Sequence, residues 1–186
     1  MPHRYNDIGH AHFLTFGCFR HKWLFRNQHL CKEFTYHLDS CRCDLDFELW
    51  AFVIMPNHVH LLLNPKDNLS ISKLLSRIKS PFAFHALDFI KKHDPQLAQE
   101  LSVIKVKKPG SEESGHSSSF RFWRRGGGYD RNIFGDEAVR KTIEYINNNP
   151  VRAGMAEYPE DYLWSSARFW LCNKPEPINM DIPEWL

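Results

Sequence analysis

The sequence predicts an α+β fold, an antiparallel sheet with flanking helices in a ferredoxin-like sandwich. Elements read in the order strand, helix, strand, strand, helix, strand, helix. The second and third strands meet at Pro56-Asn57, a turn too short for the crossover that a parallel pair needs. The chain has 186 residues, 42% of them hydrophobic, which is enough for one core. A single domain over 1–186 is therefore expected, with a core over about 10–150 and a C-terminal extension over about 151–186.

Each element has a local reason. Ala11 to Phe19 alternates aromatic, β-branched and small residues and reads as a strand. Asn27 is placed to cap a helix whose apolar positions Leu30, Cys31, Phe34 and Leu38 follow helical spacing. Phe47 to Ile54 is a short apolar run that suits a buried strand. Met55-Pro56-Asn57 turns the chain, because Pro fixes its dihedral and lacks a ladder donor, and His58 to Leu63 returns as a hairpin partner. Ser70 opens a long helical stripe through Ile71, Leu74, Leu75, Ile78, Phe82, Ala86, Phe89 and Ile90. Pro81 falls inside it, so a kink or break is expected there.

Val103 to Val106 reads as a short strand, residues 109–119 as a serine-rich loop, and Phe120 to Trp123 as strand again before Gly126-Gly127-Gly128. Asp136 starts a last helix carrying Val139, Ile143 and Ile146, and Asn149-Pro150 ends it.

Composition narrows the function classes. Six Trp and fourteen Phe argue against intrinsic disorder. The longest apolar run, Leu49 to Met55, is too short to span a membrane. The opening residues lack the plan of a secretory signal. Five cysteines without a Cys-x-x-Cys pair predict reduced thiols and a cytoplasmic location, and Cys41-x-Cys43 is too close for a zinc half-site. Net charge is +2, but residues 71–152 carry fifteen basic and nine acidic side chains. That imbalance admits a polyanion partner and equally a solvated charged surface.

The segment richest in chemistry is Met55-Pro56-Asn57-His58-Val59-His60-Leu61-Leu62-Leu63. Side chains alternate along a strand, so His58 and His60 point one way while Val59, Leu61 and Leu63 point the other. Two imidazoles so placed can chelate one divalent ion, or be two half-exposed strand histidines. Tyr145 and Asn149 are four apart and so share a helix face. A tyrosine hydroxyl beside a metal is a nucleophile, and an amide oxygen can complete the ligand set. Packing and a helix stop are the ordinary alternatives for these two residues.

Met-Pro-Asn-His-Val-His-Leu-Leu at 55–62, Gly-Gly-Gly-Tyr-Asp-Arg-Asn at 126–132 and Tyr-Ile-Asn-Asn-Asn-Pro-Val at 145–151 together resemble the HUH single-tyrosine transposases. Within these, the likeness is to the REP-associated tyrosine transposases, relatives of the small insertion-sequence transposases. It runs from near His12 to about Ser166. The resemblance implies an HUH endonuclease-type sandwich, His58 and His60 as metal ligands, Asn149 as the third, and Tyr145 as nucleophile. It implies Mg²⁺ or Mn²⁺ as cofactor and single-stranded DNA hairpins (REP-like palindromes) as partners, bound by a monomer or homodimer. The chain departs from the family pattern at Pro81 and in the serine-rich stretch.

Tyr129 is a rival nucleophile, read as a loop residue. Lys105, Lys107, Lys108, Arg121, Arg124, Arg125 and Arg131 are candidate phosphate contacts, with Phe122 and Trp123 available to stack bases and Lys73 and Arg77 one turn apart on the long helix. A charged surface around core aromatics is the competing reading of these residues. The glycine triplet lacks dinucleotide-binding spacing. Two other functions compete with this reading. A non-cleaving, sequence-specific DNA-binding regulator of the same fold is the alternative. A histidine-triad hydrolase needs a further histidine where this chain has Leu62, and is rejected.

Overall fold

The computed structural model describes residues 10–66, 69–104, 118–126 and 128–186. Its central feature is a four-stranded antiparallel sheet in the order β2-β3-β1-β6. The strands are β1 (Ala11–Gly17), β2 (Phe47–Met55), β3 (His58–Pro65) and β6 (Tyr129–Ile133). β1 is followed by helix α1 (Gln28–Leu45) and then β2, with β3 inserted between the two strands. That is the split βαβ arrangement of a ferredoxin-like sandwich, as expected. A second, two-stranded sheet pairs β4 (Ser102–Ile104) with β5 (Ser118–Phe120).

Three expectations need correction. The fourth strand of the main sheet is not Phe120 to Trp123 but β6, so Tyr129 is a strand residue and not a loop residue. Its polar run Tyr-Asp-Arg-Asn hides it from a hydrophobicity reading, and only its final Ile133 is buried. Helix α2 (Ile71–His93) passes through Pro81 without a break. Pro81 cannot donate to the Arg77 carbonyl, and α1 supplies the missing donors. His37 Nε2 lies 3.2 Å from that carbonyl and Cys41 Sγ 3.7 Å from it. Finally, α4 (Asp136–Asn147) stops before Asn149, which opens a short helix α5 (Asn149–Arg152). Pro150 sits in the first turn of α5, where no amide donor is needed.

The strand expected from Val103 is seen as β4, and the rest of that run lies outside the described residues, as do 109–117 of the serine-rich stretch. Asn27 caps α1 as expected, its Oδ1 accepting from the His29 amide at 3.0 Å. α3 (Pro95–Glu100) follows α2 directly, and α6 (Ala167–Cys172) closes the described helices.

The two faces of the sheet are built differently. Val59, Leu61 and Leu63 point into the main core with Leu74, Ile78 and Phe82 of α2 and Phe34 of α1. The opposite face is apolar only in part, where Ala51, Val53 and Leu62 meet Val139, Ile143 and Ile146 of α4. Each of the larger side chains among these, Val, Leu or Ile, stabilises by about 1.5–3 kcal/mol when buried, enough to dock α4 while leaving one corner of that face to polar residues. The C-terminal segment closes the β2 edge. Ile54 N donates to Trp164 O at 2.8 Å and Ser166 N to Phe52 O at 2.9 Å. Among the described residues no helix is long and apolar enough to cross a membrane.

Candidate functional site

The polar corner is assembled by strand register. Val53, His60, Thr15 and Tyr129 are cross-strand partners in one row, and Met55, His58 and Gly17 form the next. Side chains within a row share a face, so His58 and His60 lie on the α4 side of β3, as alternation predicts. Their rings converge further than the backbone does: His58 Nε2 stands 3.1 Å from His60 Nε2. Two ligands bound side by side to one ion at about 2.1 Å would be separated by about this much.

The other ring nitrogens are oriented by neighbours. Asn57 Oδ1 accepts from His58 Nδ1 at 2.7 Å, and Thr15 Oγ1 lies 2.7 Å from His60 Nδ1. Hydrogen bonds on Nδ1 are what point Nε2 at a metal. His60 is 6% exposed, and this burial, with His58 adding to it, pushes its pKa down to about 3 against an opposing hydrogen bond to the Asn149 side chain. Burial first, and then His21, holds His58 low as well. Both rings are therefore neutral at neutral pH, the form that binds metal.

Tyr145 comes from α4. Its ring is 6.0 Å from that of His60 and 5.8 Å from that of Phe13, and it is 40% exposed, open to a macromolecular substrate. Asn149 remains one turn below it although α4 has ended, because Asn149 Nδ2 donates to the Tyr145 carbonyl at 2.8 Å. That bond uses the amide nitrogen and leaves the amide oxygen able to ligate a metal. Two imidazoles and an amide oxygen fit a divalent ion of intermediate hardness. Among the described residues there is no cluster of three or more His, Cys, Asp or Glu to hold one elsewhere.

The cationic candidates separate. Arg124 and Arg125 line a cleft that opens at His58, and Arg131 lines a recess with Tyr145, Phe13 and Lys141. Arg121 belongs to a different depression, beside Phe84 and Phe120. Lys73 and Arg77 are exposed on α2, and neither lines the cleft or the recess. Lys105, Lys107 and Lys108 lie outside the described residues. Phe122 and Trp123 are 1% and 8% exposed and pack into the main core, so they are structural and not base-stacking residues. Their position next to basic residues resembles a stacking motif, but Phe25, Phe34 and Phe82 surround them.

Several site residues were not singled out from sequence. Thr15, Asn57, Lys79 and Arg152 reach the site through register or tertiary packing, with Arg152 Cζ 5.1 Å from the Tyr145 ring centre. Asn57 alone carried a usable signal, since it directly precedes His58.

A solved structure of a REP-associated tyrosine transposase bound to a REP hairpin shares the fold at a TM-score of 0.67 and 20% identity, covering 98% of this chain and 92% of that one. A transposase candidate from Deinococcus radiodurans aligns at 17% identity and a TM-score of 0.43, over 80% of this chain and 97% of that one. Among curated proteins, none matches. The family described as "Transposase IS200 like" matches residues 8–103, more than half of the chain and inclusive of His58 and His60. On that match, this chain belongs to the IS200-like transposases, enzymes that cut and join DNA.

Proposed function

We propose that the chain is a metal-dependent single-strand DNA endonuclease and strand transferase of the REP-associated kind, with Tyr145 as nucleophile. The observation that carries this reading is the convergence of His58 Nε2 and His60 Nε2 at 3.1 Å beside an accessible tyrosine on the same face. His58, His60 and Asn149 would hold Mn²⁺ or Mg²⁺, which when bound masks phosphate charge and polarises the phosphorus as a Lewis acid.

The chain's own residues account for the remaining steps. Tyr145 loses its proton to water and its oxygen attacks the scissile phosphorus in line. The bond to the 3′ oxygen breaks, and that oxygen takes a proton from water. The 5′ phosphate stays on Tyr145 as a phosphodiester, so the bond energy is retained and a 3′ hydroxyl can later displace the tyrosine. Arg131 and Arg152 place positive charge beside the ring, where the phosphate arrives. Arg124 and Arg125 hold DNA phosphates in the adjoining cleft.

Folded hairpins are the proposed substrate, supported by the hairpin in the REP-associated structure of the same fold. We place the protein in the cytoplasm, where its five free cysteines stay reduced. Incubating the chain and Mn²⁺ with labelled single-stranded hairpins from the DNA flanking its gene tests the reading. An SDS-resistant protein–DNA adduct is expected. Specific hairpin binding with no adduct under any metal condition would instead favour a non-cleaving regulator.

A further inference from the structure

We propose that the cleft on the His58 side of the metal pair is the subsite for the unpaired nucleotide whose 3′ oxygen is the leaving group. Tyr129 stacks the base of that nucleotide, and Lys79, Arg124 and Arg125 hold its phosphates. This inference rests on the function proposed above and assigns a strand to one side of that site.

The placement of Tyr129 is the first support. It pairs with Thr15, which pairs with His60, so all three side chains share one row and one face of the sheet. β6 is an edge strand, and the Tyr129 ring is 54% exposed. Phe13 holds that ring in an edge contact, with centroids 6.2 Å apart and planes at 72°. An exposed, laterally braced aromatic ring in a cationic groove is the arrangement that takes an unpaired base irrespective of its identity.

Charge is the second. His21, Lys79, Arg124 and Arg125 converge on the cleft, and no carboxylate is among its described lining residues. The walls are fixed relative to the histidines. Arg124 N donates to Gly17 O at 2.9 Å, and Lys79 Nζ donates to Gly126 O at 3.1 Å. The strand that delivers Tyr129 thus begins from a loop tied to both β1 and α2.

In-line geometry supplies the direction. Tyr145 stands at His60, over the recess shared with Arg131, whereas the cleft opens at His58. A phosphorus attacked from the Tyr145 side expels its leaving oxygen on the opposite side. The strand ending in that oxygen then lies along the cleft. Once the bond has broken, nothing covalent retains this strand, and stacking on Tyr129 keeps its 3′ hydroxyl in place for rejoining.

The test uses hairpins carrying a fluorescent purine analogue on the 5′ or the 3′ side of the mapped nick, bound to Tyr145→Phe protein so that no cleavage intervenes. The 5′-side probe should be quenched on binding. Adding Tyr129→Ala should restore its fluorescence and weaken binding roughly tenfold, Tyr129→Phe should keep the quenching, and the 3′-side probe should not respond to either change. With Tyr145 intact, Tyr129→Ala and Lys79→Ala should still yield the adduct but release the 3′-hydroxyl fragment sooner, lowering rejoining relative to cleavage. Quenching that survives Tyr129→Ala, or that follows the 3′-side probe, overturns the subsite while leaving the proposed chemistry standing. A wild-type chain that neither binds nor nicks any hairpin overturns both.

Discussion

Thr15 Oγ1 lies 2.7 Å from His60 Nδ1, and through this one contact β1 sets the direction in which a β3 histidine presents its other nitrogen. The two residues are direct cross-strand partners, so the hydroxyl is held by the sheet ladder and not by a flexible loop. Removing it leaves the buried imidazole free to rotate away from His58.

Thr15→Val keeps the shape of the side chain and removes the hydroxyl. Loss of such an orienting partner typically costs about 10- to 100-fold in metal affinity or activity. Titrating adduct formation against Mn²⁺ should show a higher metal requirement for Thr15→Val and near-normal behaviour for Thr15→Ser. An unchanged Mn²⁺ dependence in the valine variant would separate Thr15 from the site.

Gly128 guards the same contact from the other side. Its φ is +76°, and a Cβ placed on it would stand 2.1 Å from the Thr15 carbonyl oxygen. That is backbone in a paired strand and has no way to yield locally. Gly128→Ala should therefore loosen the pairing of β6 with β1, costing about 1–3 kcal/mol, and should suppress adduct formation with it. Gly126 also has a positive φ, of +97°, but open space around its Cβ position, so Gly126→Ala should be the milder change. Urea midpoints for the two variants should differ in that order.

How far such features can be read in advance depends on whether they are local. His58 and His60 were legible because alternation on a strand is a property of neighbouring residues, and the hairpin turn at Pro56-Asn57 fixes where that strand begins. The antiparallel pairing of β2 with β3 followed from the same turn, whereas the place of β6 beside β1 did not, because its polar run carries no strand signal. Thr15 was not legible, since nothing near it in sequence says which residue of β3 it will face. Trp123 misled for a related reason: its neighbours Arg124 and Arg125 are exposed, but its ring is buried by α1 and α2, elements far away in the chain. The unbroken α2 belongs here as well, because its compensating donors sit on another helix.

That compensation can be measured. Pro81 leaves the Arg77 carbonyl without its helical donor, and His37 serves both it and the Ile78 carbonyl, the latter at 3.0 Å. His37→Ala should destabilise the fold by about 1–3 kcal/mol, the cost of leaving such groups unsatisfied. Pro81→Ala restores an amide donor to the helix and should make the fold less sensitive to the loss of His37. A double-mutant cycle in urea should show this as non-additivity between the two substitutions, and strictly additive effects would mean that the imidazole does not stand in for the missing amide.

The proposed metal ligands predict a clean separation of binding from chemistry. His58→Ala and His60→Ala each leave the cationic cleft intact, because Arg124 and Arg125 are placed by the Arg124–Gly17 backbone bond and not by the histidines. Nicking should fall below detection in both variants and in wild-type protein treated with EDTA. Hairpin affinity at fixed salt should change little by comparison. Undiminished nicking by either variant would remove the pair from the site.

The proposed mechanism turns on Tyr145. Its ring packs edge-on to Phe13 at 5.8 Å and lies under the Arg152 guanidinium, and both contacts are made by the ring and not by the hydroxyl. Tyr145→Phe should therefore fold with almost unchanged stability while the SDS-resistant adduct disappears. Asn149→Ala should slow adduct formation without abolishing it, since the nucleophile remains and one of three proposed ligands is lost. Tyr129 shares the His60 row and its ring is exposed, whereas the Tyr162 hydroxyl on this side of the sheet is engaged by the Ile54 carbonyl at 2.8 Å, so the contribution of Tyr129 must be separated. Peptide mapping of the wild-type adduct should place the DNA on the α4 peptide containing Tyr145, and Tyr129→Phe should still form an adduct. DNA found on the β6 peptide, or an adduct that survives Tyr145→Phe, would exchange the roles of the two tyrosines and with them the direction in which the strand crosses the histidine pair.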